Sequence, residues 1–446
     1  MEKTVSLHTL GCKLNYSETS TLARKFHESG YKIKAYGEAS DIFVLNTCSV
    51  TENADKECRQ IVRSVLNSNP ETYVIVTGCY AQLQPHEIAE IHGVDLVLGA
   101  KEKFKVFDYV DGFEKKNLSC VFTSPINEAT NFDYAYTSDI DSRTRAFLKI
   151  QDGCDYNCSF CTIPMARGKS RSLAFEKVIE NAQQLIDSGY KEIVLTGVNT
   201  GDYNHQLRIT NYPVESGQAE LRINKLIDVL YELDKLNIPR IRISSIEPNL
   251  LTDEIIHLVK SSDKFCKHFH IPLQSGDKET LKLMRRRYNP EYYHELVHKL
   301  NEEISNIGIG VDVIVGFPQE TDEQLMNTYN FLEQLPISYL HVFSYSERRN
   351  THAVTLSGAI EIRIRKERSR KLRELSSIKK EKFYRLNIGT THKVLFETTK
   401  VDGSLFGFTE NYVKVKIDGS RNLENQIHDV KLTANDSSNH CTGEIL

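Results

Sequence analysis

Long apolar runs are missing from this sequence: nothing approaches the roughly 18 consecutive apolar residues of a membrane span. The segment from Met1 to Cys12 carries one lysine and no sustained apolar stretch, so it lacks the basic and hydrophobic regions of a secretory signal. These absences argue against a membrane or exported protein and point to the cytoplasm. Internal repeats and low-complexity tracts are also lacking, which argues against a repeat architecture. There is no overall positive charge either, since the formal net charge is −4, so the chain as a whole does not advertise a phosphate-binding surface.

What is present is a globular composition, 40% hydrophobic and 26% charged over 446 residues, long enough for two or three domains. Ten cysteines in a reducing compartment are better explained by metal ligation, catalysis or burial than by disulfides. One local charge excess stands out: from Glu361 to Arg385 there are eleven Lys or Arg against four Glu. For a charge run taken alone a solvated helix face is the simpler account, with a nucleic-acid stripe as the functional alternative.

The expected fold class is α/β with a small all-β ending. Short apolar runs at Val5–Leu10, Asp41–Asn46, Tyr73–Thr77 and Asp95–Leu98 alternate with helical stretches, the rhythm of an open α/β sheet over residues 1–120. A polar segment, 121–142, reads as a linker. From 143 to 383, six runs (Ala146–Ile150, Glu192–Thr196, Arg240–Ser244, His268–Pro272, Gly310–Gly316, Tyr339–Phe343) separated by helical stretches suggest a partial (β/α)6 barrel. A polar insertion over 202–221 reads as a long surface loop. Residues 384–446 switch to alternating segments divided by Asp402-Gly403 and Asp418-Gly419 turns, which implies a separate small β barrel.

Cys154, Cys158 and Cys161 form a CxxxCxxC loop directly after the first barrel run. Three thiolates at this spacing wrap three irons of a four-iron cluster and leave the fourth iron open to an outside ligand. Zinc is the competing metal, but a closed zinc site wants four thiolate or imidazole ligands, and the adjacent loop offers no histidine or further cysteine. Cys12, Cys48 and Cys79 are scattered, and spacing alone leaves metal ligands and unrelated buried thiols equally open. Each follows an expected strand, however, so parallel strands would deliver all three to one carboxyl edge. Cys58, Cys120, Cys266 and Cys441 lack such placement and read as structural.

With both trios in hand, the chain resembles the radical S-adenosylmethionine methylthiotransferase family. The resemblance runs through Gln151-Asp152-Gly153-Cys154, Ile163-Pro164-Met165-Ala166-Arg167-Gly168, Leu195-Thr196-Gly197-Val198-Asn199, Ser244-Ser245-Ile246-Glu247-Pro248, Pro272-Leu273-Gln274-Ser275-Gly276 and Gly316-Phe317-Pro318. One departure is Asn350 before Thr351, where the family commonly carries Gly. The resemblance implies two [4Fe-4S] clusters, one on Cys154, Cys158 and Cys161 and an auxiliary one on Cys12, Cys48 and Cys79. It implies one S-adenosylmethionine as methyl donor and another as radical source, with no side-chain acid or base assigned. An electron donor and a sulfur source complete the partners, and the tail resembles the OB-like TRAM module that binds tRNA.

For S-adenosylmethionine the resemblance suggests Phe160 near the adenine, the turn from Gly197 to Asn199 beside the methionine moiety, Glu247 on ribose hydroxyls and Arg167 on a carboxylate. Core packing for Phe160, a capping role for Glu247 and an ion pair within the barrel for Arg167 are rival readings. Cys12-Lys13-Leu14-Asn15 is similar to enzymes acting on N6-threonylcarbamoyladenosine beside the tRNA anticodon. Isopentenyladenosine in tRNA and a ribosomal protein side chain are the alternative targets, and a non-enzymatic RNA-binding or cluster-delivery protein is the alternative class. Tyr412 and Phe408 are candidates for base stacking, although core packing is the simpler reading for each, with Lys13 and the cluster Lys282, Arg285, Arg286 and Arg287 as weaker RNA contacts.

Overall fold

The apolar runs at the start of the chain pair into one sheet. The computed structural model describes residues 3–49, 52–110, 112–115, 118–126, 132–137, 144–209, 220–397, 403–418, 421–436 and 440–446. Six parallel strands, Thr4–Thr9, Lys32–Lys34, Ile42–Thr47, Tyr73–Gly78, Leu96–Leu98 and Cys120–Phe122, lie in the order second, first, third, fourth, fifth, sixth. Strands buried on both faces need apolar side chains on both, which Ile42-Phe43-Val44-Leu45 and Tyr73-Val74-Ile75-Val76 supply. Ile42, Val44 and Ile75 pack with Leu22 and Phe26 of the helix Lys13–Glu28, while Phe43, Leu45 and Val76 pack on the other face with Cys58 and Val62 of the helix Glu52–Ser68. Removing a buried ring such as Phe26 or Phe43 would cost about 3–5 kcal/mol.

Strand order positions the first cysteine trio. The first, third and fourth strands are direct neighbours, and they run into Cys12, Cys48 and Cys79. The order reverses beside the first strand, the crevice where open parallel sheets build their sites.

The expected end of this domain at 120 falls at the start of the sixth strand, and Val121 and Phe122 belong to the sheet. Of the expected linker, 127–131 and 138–142 lie outside the described residues. Residues 132–137 are pinned along the first barrel strand: the Thr137 N–H donates to the Phe147 carbonyl at 3.0 Å and the Lys149 N–H to that of Ala135 at 3.0 Å. A polar composition hid this backbone pairing.

The second domain is a six-stranded open barrel. Arg145–Lys149, Glu192–Thr196 and Arg240–Ile243 pair in parallel, as do His268–His270, Gly308–Val315 and Tyr339–Ser344. Parallel bridges from Ile241 to Phe265 and from Ser245 to His270 join the two halves. Side chains alternate along each strand. Leu148, Ile193, Ile241, Phe269, Val311 and Val342 join the core beneath the helices, which turns Phe147, Glu192, Arg242, His270, Asp312 and His341 into the lumen.

The insertion is a correction to the expected irregular loop. Asn204–Ile209 and Glu220–Lys225 form an antiparallel pair, with residues 210–219 outside the described residues. The period-two pattern of Leu207, Ile209, Leu221 and Ile223 among polar residues favours strands there. Asn350 takes φ +66, a left-handed conformation that Gly adopts freely and Asn tolerates better than most residues.

The tail is a closed five-stranded barrel of Thr391–Phe396, Ser404–Phe408, Lys414–Asp418, His440–Ile445 and Ile427–Asp436. It sits against the N-terminal ends of the large barrel's strands. Arg240 donates to the carbonyls of Phe408 (3.0 Å) and Thr409 (3.1 Å), and Arg242 to that of Glu410 (3.2 Å). The ring of Tyr412 stacks on His268 at 4.6 Å and on Phe408 at 5.0 Å. The two rings considered for RNA bases therefore stack on protein, because the terminal barrel uses them to close the foot of the large one.

The basic run forms one helix, Ile362–Leu386, whose Leu372 and Leu375 enter the large core and whose Tyr384 enters the small one. Several of its cations are consumed internally: Arg368 pairs with Glu320 and Asp322 at 2.7 Å, and Arg365 with Glu347 at 2.6 Å. Among the described residues no helix is long and apolar enough to cross a membrane.

Candidate metal centres

Glycines bring the scattered trio together. Gly11 has φ +103, and a Cβ there would lie 2.5 Å from Cys48 Cβ and 2.8 Å from its Sγ. Gly78 has φ +101, and its Cβ would lie 2.3 Å from the Thr47 carbonyl oxygen. Both positions therefore require glycine, and its absence of a side chain lets three strand ends converge. Cys12 precedes the helix Lys13–Glu28 and is exposed, whereas Cys48 and Cys79 are buried. Cys12 Sγ lies 3.8 Å from Asn15 Oδ1, and Asn15 Nδ2 donates to the carbonyls of Leu10 (2.8 Å) and Thr47 (3.1 Å), tying two of the three loops to one side chain.

The contiguous trio lies on a loop fixed by its surroundings. Gly153, at φ +71, passes so close to Lys169 that a Cβ would lie 2.0 Å from its carbonyl oxygen. Ser159 Oγ donates to the Leu283 carbonyl at 2.7 Å, and Arg286 Nη1 donates to Cys158 Sγ at 3.0 Å. The other arm of Arg286 pairs with Glu247. Arg287 stacks over Tyr156 at 3.6 Å. Two arginines considered for RNA thus belong to the cysteine loop. Burial pushes the Cys154 thiol up to about 11 and the Cys161 thiol up to about 12. Burial also raises Cys158, against the pull of Arg286. Thiolates at these positions need a cationic ligand, which is what iron provides.

The two trios share a wall. The helix Ile163–Arg167 begins two residues after Cys161 and packs on Cys79–Leu83, the helix that begins with Cys79. At its end, Arg167 is buried. Nη1 donates to Glu18 (2.9 Å) and Asp152 (3.0 Å), and Nη2 to Asn15 (2.6 Å) and Glu18 (3.1 Å). Lys103 and Lys149 also reach Glu18, at 2.8 and 3.1 Å. Burial opposes charge on Glu18, but Arg167, Lys103 and Lys149 outweigh it and hold the carboxyl well below the ordinary range. Arg167 is therefore engaged by protein carboxylates rather than held ready for a ligand's. The ion pair differs from the rival reading in one respect: it crosses from the barrel to the N-terminal domain.

Residues considered for S-adenosylmethionine gather beside the contiguous trio. The Asn199 N–H donates to Gln151 Oε1 at 2.9 Å, and a Cβ on Gly197 would lie 2.9 Å from that same atom. The Asn199 side chain is buried with neither Oδ1 nor Nδ2 hydrogen-bonded. A buried amide with both ends unsatisfied is costly unless a polar ligand completes it. Glu247 gives one oxygen to Arg286. Phe160 meets Phe317 edge-on at 6.5 Å and, with Cys161, Gln274, Asp312 and Tyr345, lines a cavity of about 180 Å³. The thiol sets, the unsatisfied Asn199 and this cavity fit two iron-sulfur clusters and a polar nucleoside ligand. Gln151 and Arg286 carry much of the geometry, and no sequence signal marked either for that role, because Arg286 meets a cysteine 128 positions away.

Comparison with known proteins agrees with this arrangement. The radical SAM superfamily model matches residues 148–332, and that of the uncharacterized protein family UPF0004 matches residues 4–99. The threonylcarbamoyladenosine tRNA methylthiotransferase MtaB of Bacillus subtilis is 38% identical over 96% of this chain and 93% of its own length. The enzyme of the same name from Aquifex aeolicus is 37% identical over 94% and 98%. The Bacillus subtilis tRNA-2-methylthio-N(6)-dimethylallyladenosine synthase is 30% identical over 96% and 82%. Among solved structures, the radical S-adenosylmethionine methyltransferase TsrM of Kitasatospora setae, with cobalamin and a [4Fe-4S] cluster bound, aligns with a TM-score of 0.53 at 14% identity, covering 77% of this chain and 75% of its own. That likeness concerns the fold.

Proposed function

Because the chain belongs to the radical S-adenosylmethionine tRNA methylthiotransferase family, we propose that it transfers a methylthio group to C2 of N6-threonylcarbamoyladenosine at position 37 of tRNA. It is a transferase acting on tRNA, and its cofactors are S-adenosylmethionine and [4Fe-4S] clusters. Support for the threonylcarbamoyl target over the dimethylallyl one comes from relatives of a single organism, 38% against 30% identical.

The observation that carries the reading is the shared wall: two three-thiol sets open beside the same short helix, so groups held on either can meet one base. Cys154, Cys158 and Cys161 hold one cluster, and Cys12, Cys48 and Cys79 the other. When bound, these groups and S-adenosylmethionine supply the sulfur site, the methyl group and the radical that an unreactive aromatic C–H bond demands. The chain's own residues orient and balance charge. Arg286 donates to Cys158 Sγ and offsets negative charge there, with Glu247 holding the guanidinium in place. The Asn199 amide offers one donor and one acceptor to the methionine end, Gly197 keeps the approach open, and Phe160 presents a ring to the adenine. Glu247 keeps Oε1 for ribose hydroxyls. An external electron donor and a sulfur source are partners the chemistry requires. None of the ten cysteines is paired in a disulfide, and a reducing cytoplasmic setting suits thiols reserved for clusters.

The test is anaerobic reaction of the reconstituted protein with tRNA bearing threonylcarbamoyl- or isopentenyladenosine, followed by mass spectrometry of the digested nucleosides. Methylthiolation of the threonylcarbamoyl nucleoside is expected. Product from isopentenyl tRNA alone, or no tRNA product with a modified ribosomal protein, overturns the target.

A further inference from the structure

Lys13 directly follows Cys12, and its half-buried ammonium makes no hydrogen bond or ion pair among the described residues. Its charge acts on Tyr412, Arg242, Arg145 and Glu192 and on His268 and His341, side chains of the barrel lumen and its foot. The neighbouring acids are engaged elsewhere. Glu192 is paired with Arg240 and Arg242, each at 2.8 Å, and Asp312 accepts from His270 at 2.8 Å, whose other ring nitrogen meets Ser245 Oγ at 3.1 Å. Below, Tyr412 stacked on His268 closes the foot of the lumen. The foot of the lumen is therefore closed, and the ammonium that follows Cys12 has no paired carboxylate among the described residues.

We infer that Lys13 binds the carboxylate of the substituent on N6 of the target adenine and so reads the charge of that substituent. The inference rests on the proposed methylthiotransferase reaction at C2. In adenine, C2 and the carbon that carries N6 flank the same ring nitrogen, so C2 and the N6 substituent lie along one edge of the base. A base presenting C2 to the Cys12 trio points its N6 substituent at the residue that follows Cys12. A threonylcarbamoyl group ends in a carboxylate, which pairs with the ammonium. An isopentenyl group carries no charge and would bury the ammonium against hydrocarbon, which is unfavourable. Selection thus has an attractive and a repulsive component at one residue.

The experiment measures binding of anticodon stem-loops carrying threonylcarbamoyladenosine, its methyl ester or isopentenyladenosine to the reconstituted full chain, for wild type and Lys13→Gln, with iron counted in both. In wild type, esterification should weaken binding about tenfold or more. Lys13→Gln should weaken the free-acid stem-loop by a similar factor, remove the effect of esterification, and leave or improve isopentenyl binding, with iron content unchanged. An ester bound as tightly as the acid by wild type overturns the inference without any mutant, and so does a Lys13→Gln protein that keeps the full acid-to-ester ratio. Turnover of wild type on the free-acid tRNA is scored separately. Failure there removes the reaction assignment, whereas normal turnover with no ester effect removes only the role of Lys13.

Discussion

The two cysteine trios reach the same wall by opposite routes. Cys154, Cys158 and Cys161 sit within eight residues on one loop, so local chain geometry nearly suffices to gather them. Cys12, Cys48 and Cys79 span 68 residues and meet only because three strands are neighbours and two glycines accept φ near +100°. A site assembled by sequence spacing tolerates changes in the fold around it, whereas one assembled by topology inherits every weakness of the sheet.

The sharpest test of that comparison is to remove each trio in turn. Triple alanine replacement of either set should lower iron from about eight to about four per chain and abolish product. If replacing the contiguous set emptied both sites, the trios would not be independent centres. Next in size is Glu18→Ala, which leaves Arg167, Lys103 and Lys149 buried around a missing anion. A loss of about 3–5 kcal/mol in unfolding stability is expected by denaturant titration. The pH dependence has a definite sign. Glu18 titrates below its ordinary value of 4.5 in the folded chain, so its stabilisation is complete above that value and is lost as pH falls through the lowered one. A stability curve flat from neutral pH down to strong acid would contradict it.

Gly11→Ala separates the trios more gently. The left-handed backbone alone costs about 1–2 kcal/mol, and the new methyl would displace Cys48. Iron should fall at the topological site and stay at the contiguous one, and equal loss at both would show that Gly11 acts on the fold as a whole. The smallest effect is expected from Arg286→Lys, which keeps the charge but cannot reach Glu247 and Cys158 together. Product formation should slow several-fold, about 1 kcal/mol, with iron content intact. An unchanged rate would mean that the charge matters and the fork does not.

Much of this architecture was legible in the sequence because its signals are local. Glu192–Thr196 has the bounds its apolar run implies, and Ile42–Thr47 is displaced by one residue. The chain order of the strands is visible in those runs, but their order in the sheet is not, and that order gathers Cys12, Cys48 and Cys79. Arg167 and Arg286 look like surface or ligand-seeking cations in sequence, since nothing local reveals Glu18 at a separation of 149 or Cys158 at 128. For Tyr412 and Phe408 the packing reading holds, but the sequence does not show which neighbour each ring covers, because an aromatic residue on a small barrel carries no sign of its partner. The insertion carried a strand pattern, but its polar interruptions concealed it.

The carboxylate of Glu18 has a consequence for how the molecule works in time. It takes one cation from its own domain, Lys103, and two from the barrel, Lys149 and Arg167, so it rivets the two halves of the protein together beneath both trios. Enzymes that pass a group between two centres often do so with a tethered arm or a rocking domain. Here one carboxylate holds both trios on a single frame, so neither can shift against the other without parting Glu18 from Lys149 and Arg167.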